Sequence, residues 1–283
     1  MASNSYGILA GYDGSAGSER ALSWAAREAL SRGTVLTVCH AFGPGFPAAD
    51  DEDAVLNLAR GRGERVILSG LRQGRHLMGT GEVRSLLVAG SAAAVLCERS
   101  DDAAIVVVGA RGLGGVAGLR LGSVSSQVAA HAGGLVVVVR GHWRPAAGFV
   151  PGPIVVGANG SPPSRAALEF AFEEAKLREA PVLAVCALAD APGILGAADK
   201  RREQFEDVIG RWEKNHPEVA VLRRLSHGGA RDALLTAAHD AQLLVVGSRG
   251  RGGIRGMPLG SVSLAVLHHA PCPVGVARPA PPA

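Results

Sequence analysis

The sequence has few aromatic residues and no long hydrophobic run. Aromatic residues make up 4% of the 283 residues, while apolar residues make up 47% and charged residues 19%. A core of ordinary size must therefore be built from Val, Leu, Ile and Ala, and runs of these residues are typical of parallel strands buried on both faces. Because no apolar run reaches the roughly 18 residues of a membrane helix, we expect no membrane span.

The charged and reactive residues show no pattern typical of nucleic-acid binding, secretion or zinc binding. The net charge of +4 is small for this length, and basic residues alternate with acidic ones, so charge gives no case for a nucleic-acid partner. Residues 1–14 lack the pattern of a signal peptide, and the cysteines form no CxxC pair. We therefore expect a cytoplasmic protein whose cysteines are small core residues: Cys39, Cys97, Cys186 and Cys272.

The chain contains an internal repeat. The sequence Gly-Tyr-Asp-Gly-Ser at 11–15 returns as Gly-Ala-Asn-Gly-Ser at 157–161. Val-Val-Gly-Ala-Arg-Gly, which ends at Gly112, returns as Val-Val-Gly-Ser-Arg-Gly, which ends at Gly250. A period of roughly 140 residues corresponds to one domain rather than to a unit of a solenoid. Each half also contains Leu-Gly-Ser-Val-Ser, at 121–125 and at 259–263.

The repeat predicts two domains of the same fold, at 1–141 and 154–283, joined by a linker at 142–153 that is rich in proline and glycine. Within each half, short apolar segments alternate with segments of helical periodicity. This alternation predicts a parallel sheet with right-handed crossovers. We therefore predict an α/β protein of two tandem, doubly wound, Rossmann-like domains, each with about five mostly parallel strands.

Two helices illustrate what local sequence signals predict. Ser161 followed by Pro162 predicts the start of a helix, because serine is a good capping residue and proline suits the first helical position. In the first half, the pattern predicts a helix over about 55–72, but its continuity is doubtful because glycine is a poor helix former. The glycines in that segment are Gly61, Gly63 and Gly70.

Two segments of each half fall at the carboxyl edge of the predicted sheet, where open α/β sheets bind ligands. The first is the turn after strand one, with Asp13 or Asn159, and the second is the glycine-rich loop after strand four. Glycines let the backbone approach a phosphate, and the helix that follows the loop adds unpaired N–H groups. Asp13 suits ribose hydroxyls or a phosphate-bound magnesium ion. Hydroxyl donors are available from Ser123, Ser125, Ser261 and Ser263.

Each of these features has a simpler interpretation when taken alone. A single glycine-rich stretch such as 112–118 is also typical of a mobile surface turn, and Asp13 is also typical of a turn or a helix cap. Two copies, each between a buried strand and a helix headed by serine, favour nucleotide binding.

The spacing Gly-x-x-Gly, nine residues and Gly-Ser occurs in both halves and resembles the nucleotide motif of universal stress proteins of the ATP-binding class. The resemblance covers nearly the whole chain apart from the linker. It implies ATP in each half, with or without magnesium, and a regulatory role in the stress response with at most slow ATP hydrolysis. Members of this family commonly pair domains about a two-fold axis, so the resemblance implies such a pair within the chain or a homodimer.

The resemblance also assigns site residues. Backbone near Ala41 and Leu188 would contact adenine, the Asp13 position would contact the ribose or magnesium, and the glycine loops would hold the phosphates. In the first half the implied residues are Gly11, Asp13, Ala41, Gly109, Arg111, Gly112, Gly115, Gly122, Ser123, Val124 and Ser125. In the second half they are Gly157, Asn159, Leu188, Gly247, Arg249, Gly250, Gly253, Gly260, Ser261, Val262 and Ser263.

The second half departs from the family pattern at one position, where Asn159 replaces the aspartate. Asparagine still accepts a hydrogen bond but lacks the charge that helps to hold a metal. We therefore expect weaker, metal-poor binding in that half, with Arg251 and Arg255 compensating at the phosphates.

Two other functions are weighed against nucleotide-dependent regulation. An enzyme that hydrolyses ATP or transfers adenylate would carry a serine-rich phosphate loop after strand one, and residues 11–15 do not form that loop. The sequence also has no P-loop, no Ser-His-Asp spacing and no zinc motif. A partner-binding module that has lost its ligand would not need the intact glycine motifs. The sequence identifies neither the signal nor a protein partner.

Overall fold

The chain divides into two compact units, Met1–Val139 and Arg140–Ala283. Most of the predicted linker lies outside the described residues, as do the segments that carry Gly115, Gly253, Arg251 and Arg255. The computed structural model describes residues 5–43, 52–114, 120–140, 152–188, 197–250 and 257–279.

The first unit is a parallel sheet with helices that connect successive strands. Its strand order is β3-β2-β1-β4-β5, and each neighbouring pair runs parallel. In chain order its elements are β1 (Ile8–Gly11), α1 (Ala16–Arg32), β2 (Leu36–Phe42), α2 (Glu52–Met78), β3 (Val83–Ala89), α3 (Ala92–Glu98), β4 (Ile105–Gly109), α4 (Ser123–His131) and β5 (Leu135–Val139).

The second unit repeats this topology, with the strand order β8-β7-β6-β9-β10 and parallel pairing throughout. The predicted doubly wound α/β fold of each half is therefore confirmed. In chain order its elements are β6 (Ile154–Gly157), α5 (Pro162–Leu177), β7 (Val182–Ala187), α6 (Ala197–Asn215), β8 (Val221–Ser226), α7 (Ala230–Ala237), β9 (Leu243–Gly247), α8 (Ser261–His269) and β10 (Val274–Ala277).

The first helix of each unit begins at a serine cap. The Ser15 hydroxyl accepts a hydrogen bond from the Ser18 amide at 3.1 Å, and the Ser161 hydroxyl accepts one from the Ser164 amide at 3.3 Å. Pro162 occupies the start of α5, where its missing N–H costs no hydrogen bond. The helix start predicted from Ser161 and Pro162 is confirmed, and both caps lie directly after the turns that carry Asp13 and Asn159.

Aliphatic side chains fill the interior of both units. The strands β4, β5, β9 and β10 are buried along almost their whole length, as expected for parallel strands covered on both faces. Cys39, Cys186 and Cys272 are buried, whereas Cys97 is only half-buried. Burial raises the pKa of Cys39 to about 12, so this thiol stays protonated at neutral pH. Within the described ranges, none of the helices combines the length and hydrophobicity that a membrane span requires.

Helix α2 is longer than predicted and continuous, so the doubt about its continuity was wrong. Gly63, Ile67, Gly70 and Gly74 are buried and recur at helical spacing, so the glycines face the sheet. A Cβ added at Gly70 would lie 2.7 Å from Cδ1 of Tyr12, and one at Gly63 would lie 3.2 Å from Leu87. These glycines therefore let the helix approach the sheet closely, and that packing offsets their low helix propensity.

Substitution of two glycines in α2 tests this explanation. We expect Gly70→Ala to destabilise the protein by about 1–3 kcal/mol, because the new methyl group would overlap the buried Tyr12 ring. Gly61→Ala is the matched control, because a Cβ there would meet nothing within 4 Å. We expect this control to stabilise the protein by about 0.5–1 kcal/mol. Equilibrium unfolding in urea measures both changes, and equal effects of the two substitutions would contradict the explanation.

Candidate functional site

In each unit, a cleft opens at the carboxyl ends of the two strands where the strand order reverses. In the first unit β1 and β4 are neighbours, but β1 is followed by β2 on one side and β4 by β5 on the other. The connections that leave β1 and β4 therefore diverge, and the space between them is a cleft of about 200 Å³. In the second unit β6 and β9 diverge in the same way around a cleft of about 520 Å³.

Asp13 connects the two loops that border the first cleft. Its Oδ1 accepts a hydrogen bond from the Ser15 amide at 2.9 Å, and its Oδ2 accepts one from the Leu113 amide at 3.0 Å. Burial alone would raise the pKa of this carboxyl group, but hydrogen bonds from Ser15, Leu113 and Ser18 outweigh burial and lower the pKa below its ordinary value. Asp13 is therefore a fixed negative charge in the cleft at neutral pH.

Asn159 occupies the same turn of the second unit without the charge. Its Oδ1 accepts hydrogen bonds from the amide of Ser161 at 3.0 Å and from the hydroxyl of Ser161 at 2.7 Å. The backbone amide of Asn159 donates to the Ser164 hydroxyl at 3.0 Å, as the backbone amide of Asp13 donates to the Ser18 hydroxyl at 3.3 Å. The two turns thus share one backbone arrangement but differ in charge.

The first glycine of each motif is required by packing. A Cβ at Gly109 would lie 2.5 Å from the backbone of Gly17, and a Cβ at Gly247 would lie 2.6 Å from the backbone of Pro163. The end of β4 or β9 therefore touches the first turn of α1 or α5, where no side chain fits.

The second glycine of each motif faces the strand-one turn. A Cβ at Gly112 would overlap Oδ2 of Asp13, and a Cβ at Gly250 would lie 3.1 Å from Nδ2 of Asn159. Glycine therefore lets the loop after β4 lie directly against Asp13, whereas a Cβ at Gly250 would require Asn159 to shift by a few tenths of an ångström.

The helices α4 and α8 begin at the cleft with a glycine at the N-cap position, Gly122 and Gly260. Glycine has no side chain to accept hydrogen bonds from the first amides of the helix, so these amides suit an anion from outside the helix. Ser125 and Ser263, by contrast, are buried and hold the loops. The Ser125 hydroxyl donates to the Ala110 carbonyl at 3.0 Å, and the Ser263 hydroxyl donates to the Gly247 carbonyl at 2.7 Å.

The ends of β2 and β7 form the far side of each cleft and differ between the units. In the first unit His40 and Ala41 line the cleft, and Nδ1 of His40 lies 2.8 Å from the Tyr12 carbonyl oxygen. In the second unit Ala187 lines the cleft, and Arg201 of α6 donates to the Ala187 carbonyl at 3.3 Å. The prediction named Leu188 here, but Leu188 is fully buried and is not among the described lining residues.

Most of the residues implied by the resemblance lie together around the two clefts. Gly115 and Gly253 lie outside the described residues. Among the described residues, no group of three or more His, Cys, Asp or Glu side chains is placed to hold a metal ion. The predicted residues that line the first cleft are Gly11, Asp13, Ala41, Gly109, Arg111, Gly112, Gly122, Ser123, Val124 and Ser125. Those that line the second are Gly157, Asn159, Gly247, Arg249, Gly250, Gly260, Ser261, Val262 and Ser263.

Sequence reasoning assigned no role to Arg201, although the repeat contains a signal for it. Arg201 precedes Val221, the first residue of β8, by 20 residues, and Gly63 precedes Val83, the first residue of β3, by the same distance. When α6 and α2 are aligned by counting back from these strands, the large side chain of Arg201 corresponds to Gly63. Counting forward from β2 and β7 fails, because α2 has 27 residues and α6 has 19.

Comparison with known proteins identifies the family. The sequence profile of the universal stress protein family matches residues 7–140 and again residues 152–278. A universal stress protein of Mycolicibacterium smegmatis is 36% identical over 291 residues, which cover 97% of this chain and 97% of the relative. Another, from Mycobacterium tuberculosis, is 36% identical over 309 residues, which cover 96% of this chain and 95% of the relative.

A solved structure has the same fold. The crystal structure of a universal stress protein from Archaeoglobus fulgidus superposes on this chain with a TM-score of 0.75 at 21% identity. The superposition covers 98% of this chain and 99% of the Archaeoglobus chain. Both halves of this chain match the family profile, and the two relatives match this chain along almost its whole length. The chain therefore belongs to the universal stress protein family and carries one copy of the family domain in each half.

Proposed function

We propose that the protein is a nucleotide-dependent regulatory module of the stress response, in which the first cleft binds ATP and the second binds a nucleotide with less dependence on metal. The observation that carries this proposal is the repeated geometry of the clefts. In both units the glycine loop and the N-terminus of the helix that follows it lie opposite a polar side chain on the strand-one turn. Such a loop and helix N-terminus suit phosphate groups.

The phosphate groups fit the side of the cleft formed by the glycine loop and the start of α4. Gly112 and Gly122 leave room for the backbone amides to approach the ligand, and the helix start adds a partial positive charge. Arg111 lines this side of the cleft and is exposed, so its guanidinium can approach a phosphate. In the second unit Gly250, Gly260 and Arg249 stand in the same positions.

Asp13 supports the choice of ATP with magnesium for the first cleft. It is ionised at neutral pH because hydrogen bonds lower its pKa, and it lies beside the glycine loop. A carboxylate in this position can accept hydrogen bonds from ribose hydroxyls or bind a magnesium ion held by the phosphates. Asn159 can accept hydrogen bonds but contributes no charge, so we propose that the second cleft depends less on magnesium.

We propose that the protein regulates through nucleotide occupancy rather than through turnover. An efficient general base has a pKa near the working pH, whereas hydrogen bonds hold the pKa of Asp13 below the ordinary value of a carboxyl group. Asp13 is therefore a weak base toward water, and we expect ATP hydrolysis to be slow. Steady release of phosphate or pyrophosphate with an acceptor substrate would instead support an enzyme.

Purified protein tests the ligand and the site together. We expect it to retain ATP, identified by mass spectrometry of the material released on denaturation. We expect Asp13→Ala and Gly122→Ala to weaken ATP binding about tenfold or more, because each removes or obstructs a charge-assisted contact. Isothermal titration with ATP and magnesium measures the change in affinity.

Gly122→Ala is the sharper of these variants, because a Cβ there would lie 3.4 Å from the Ala110 carbonyl oxygen, an ordinary contact. Gly61→Ala is the matched control, because Gly61 is not among the residues that line the cleft and a Cβ there would meet nothing within 4 Å, so we expect it to keep the affinity for ATP. Thermal unfolding without ligand separates lost binding from lost stability. Unchanged ATP affinity in a stable Gly122→Ala variant would contradict the proposal.

The exchange of Asp13 and Asn159 tests the metal dependence of each cleft. We expect Asp13→Asn to reduce the effect of magnesium on ATP affinity in the first cleft, and Asn159→Asp to introduce such an effect in the second. Asn159→Asp keeps an acceptor for the Ser161 amide, so the turn is preserved. Titrations with magnesium and with EDTA measure both changes. Equal magnesium dependence of the two clefts in the natural protein would contradict the expected difference.

A further inference from the structure

We propose that Arg201 determines the base specificity of the second cleft, so that this cleft prefers a guanine nucleotide to an adenine nucleotide. The premise is the function proposed above, namely that the second cleft binds a nucleotide with its phosphates at the glycine loop. The proposal concerns the opposite side of the cleft, where Arg201 and Ala187 lie.

The carboxyl end of β7 lies about as far from the phosphate side of the cleft as a base lies from the phosphates of a nucleotide. In the second unit β9, β6 and β7 are consecutive neighbours. Adjacent strands lie about 4.8 Å apart, so the end of β7 lies roughly 10 Å from the end of β9, where the glycine loop begins. A nucleoside spans about this distance, so phosphates at Gly250 and Gly260 leave the base at the end of β7.

The side chain that Arg201 presents there can only donate hydrogen bonds. It is half-buried, it lines the cleft, and it donates to the Ala187 carbonyl at 3.3 Å. A guanidinium carries five N–H donors and no acceptor, and it stays charged at every physiological pH. Guanine presents two acceptors, O6 and N7, on one edge, whereas adenine presents the acceptor N7 beside the donor N6 amino group. A donor-only side chain therefore favours guanine.

The first cleft presents the opposite polarity at the equivalent place. The partner of Nδ1 of His40 is the Tyr12 carbonyl oxygen, which can only accept, so Nδ1 must carry the proton. In the neutral imidazole Nε2 is then an acceptor, which suits the N6 amino group of adenine. The helix position that bears Arg201 in the second unit is Gly63 in the first, where an added Cβ would lie 3.3 Å from Cδ2 of His40. No donor-only side chain can project from that glycine.

The charged side chains that line the two clefts differ. Its described lining contains Arg201 and Arg249 and no carboxylate, whereas the described lining of the first contains Arg111 and Asp13. ATP and GTP carry the same charge, however, so charge alone cannot separate them. The ratio of the GTP affinity to the ATP affinity at one cleft therefore measures the preference for the base alone.

The experiment measures ATP and GTP binding to each cleft of the full chain by nuclear magnetic resonance. The amide signal of Gly122 reports the first cleft and that of Gly260 reports the second. We expect GTP to bind about tenfold more tightly than ATP at Gly260, and ATP to be preferred at Gly122. We expect Arg201→Gln to reverse the preference at Gly260 without changing Gly122, because a glutamine amide pairs with N6 and N7 of adenine.

Arg202→Gln is the matched control, because Arg202 is the next residue of α6, is exposed and does not line the described cleft. We expect Arg202→Gln to keep the ratio of GTP affinity to ATP affinity that the natural chain has at Gly260. An unchanged ratio in Arg201→Gln, or equal binding of ATP and GTP at Gly260 in the natural chain, overturns the role of Arg201 while leaving nucleotide binding intact. If neither nucleotide shifts either signal, the proposed function fails and the specificity of Arg201 fails with it.

Discussion

The contact between the end of β4 and the first turn of α1 fixes the geometry of the first cleft. The backbones of Gly109 and Gly17 meet without space for a Cβ, and a Cβ at Gly17 would overlap the Arg111 carbonyl oxygen. This contact determines where the glycine loop leaves the sheet and directs it toward Asp13. The second unit forms the same contact between Gly247 and Pro163, so two different residues at the helix start provide one arrangement.

On this shared frame, the two clefts have different chemical characters. The first combines a fixed carboxylate, Asp13, with the imidazole of His40, whose Nδ1 lies 2.8 Å from the Tyr12 carbonyl oxygen. The second replaces the carboxylate with the neutral Asn159 and adds the guanidinium of Arg201. None of these differences changes the strand order, although they lie on different elements: Asp13 and Asn159 on the turns, His40 on β2 and Arg201 on α6. Duplication of the domain therefore preserved the backbone and allowed the polar groups to diverge.

Much of this arrangement could be predicted from the sequence, because its signals are local. The buried strands are continuous apolar segments, and the cap at Ser161 follows from residue type and position. The repeated glycine motif also predicted most of the residues that line the clefts. The fold followed from the alternation of strands and helices, which restricts the topology to parallel sheets with right-handed crossovers.

The features that could not be predicted depend on contacts between distant parts of the chain. Glycine has the same appearance in a phosphate loop and in a close packing contact, so the sequence did not distinguish the role of Gly109 from that of Gly112. Likewise, Gly70 is a poor helix former locally and is explained only by the ring of Tyr12 on the sheet. The approach of Arg201 to Ala187 likewise depends on how α6 packs at the end of β7, and α6 has 19 residues where α2 has 27.

The hydrogen bond between Asp13 and the Leu113 amide couples the carboxylate of the strand-one turn to the glycine loop of the first unit. Each carboxylate oxygen has two lone pairs, so a ribose hydroxyl or a magnesium ion that bound Asp13 would share the carboxylate with this amide. Any weakening of the hydrogen bond would then be subtracted from the affinity of the proposed ligand. Residues of the glycine loop that never touch that ligand could therefore change its affinity by changing the strength of this hydrogen bond.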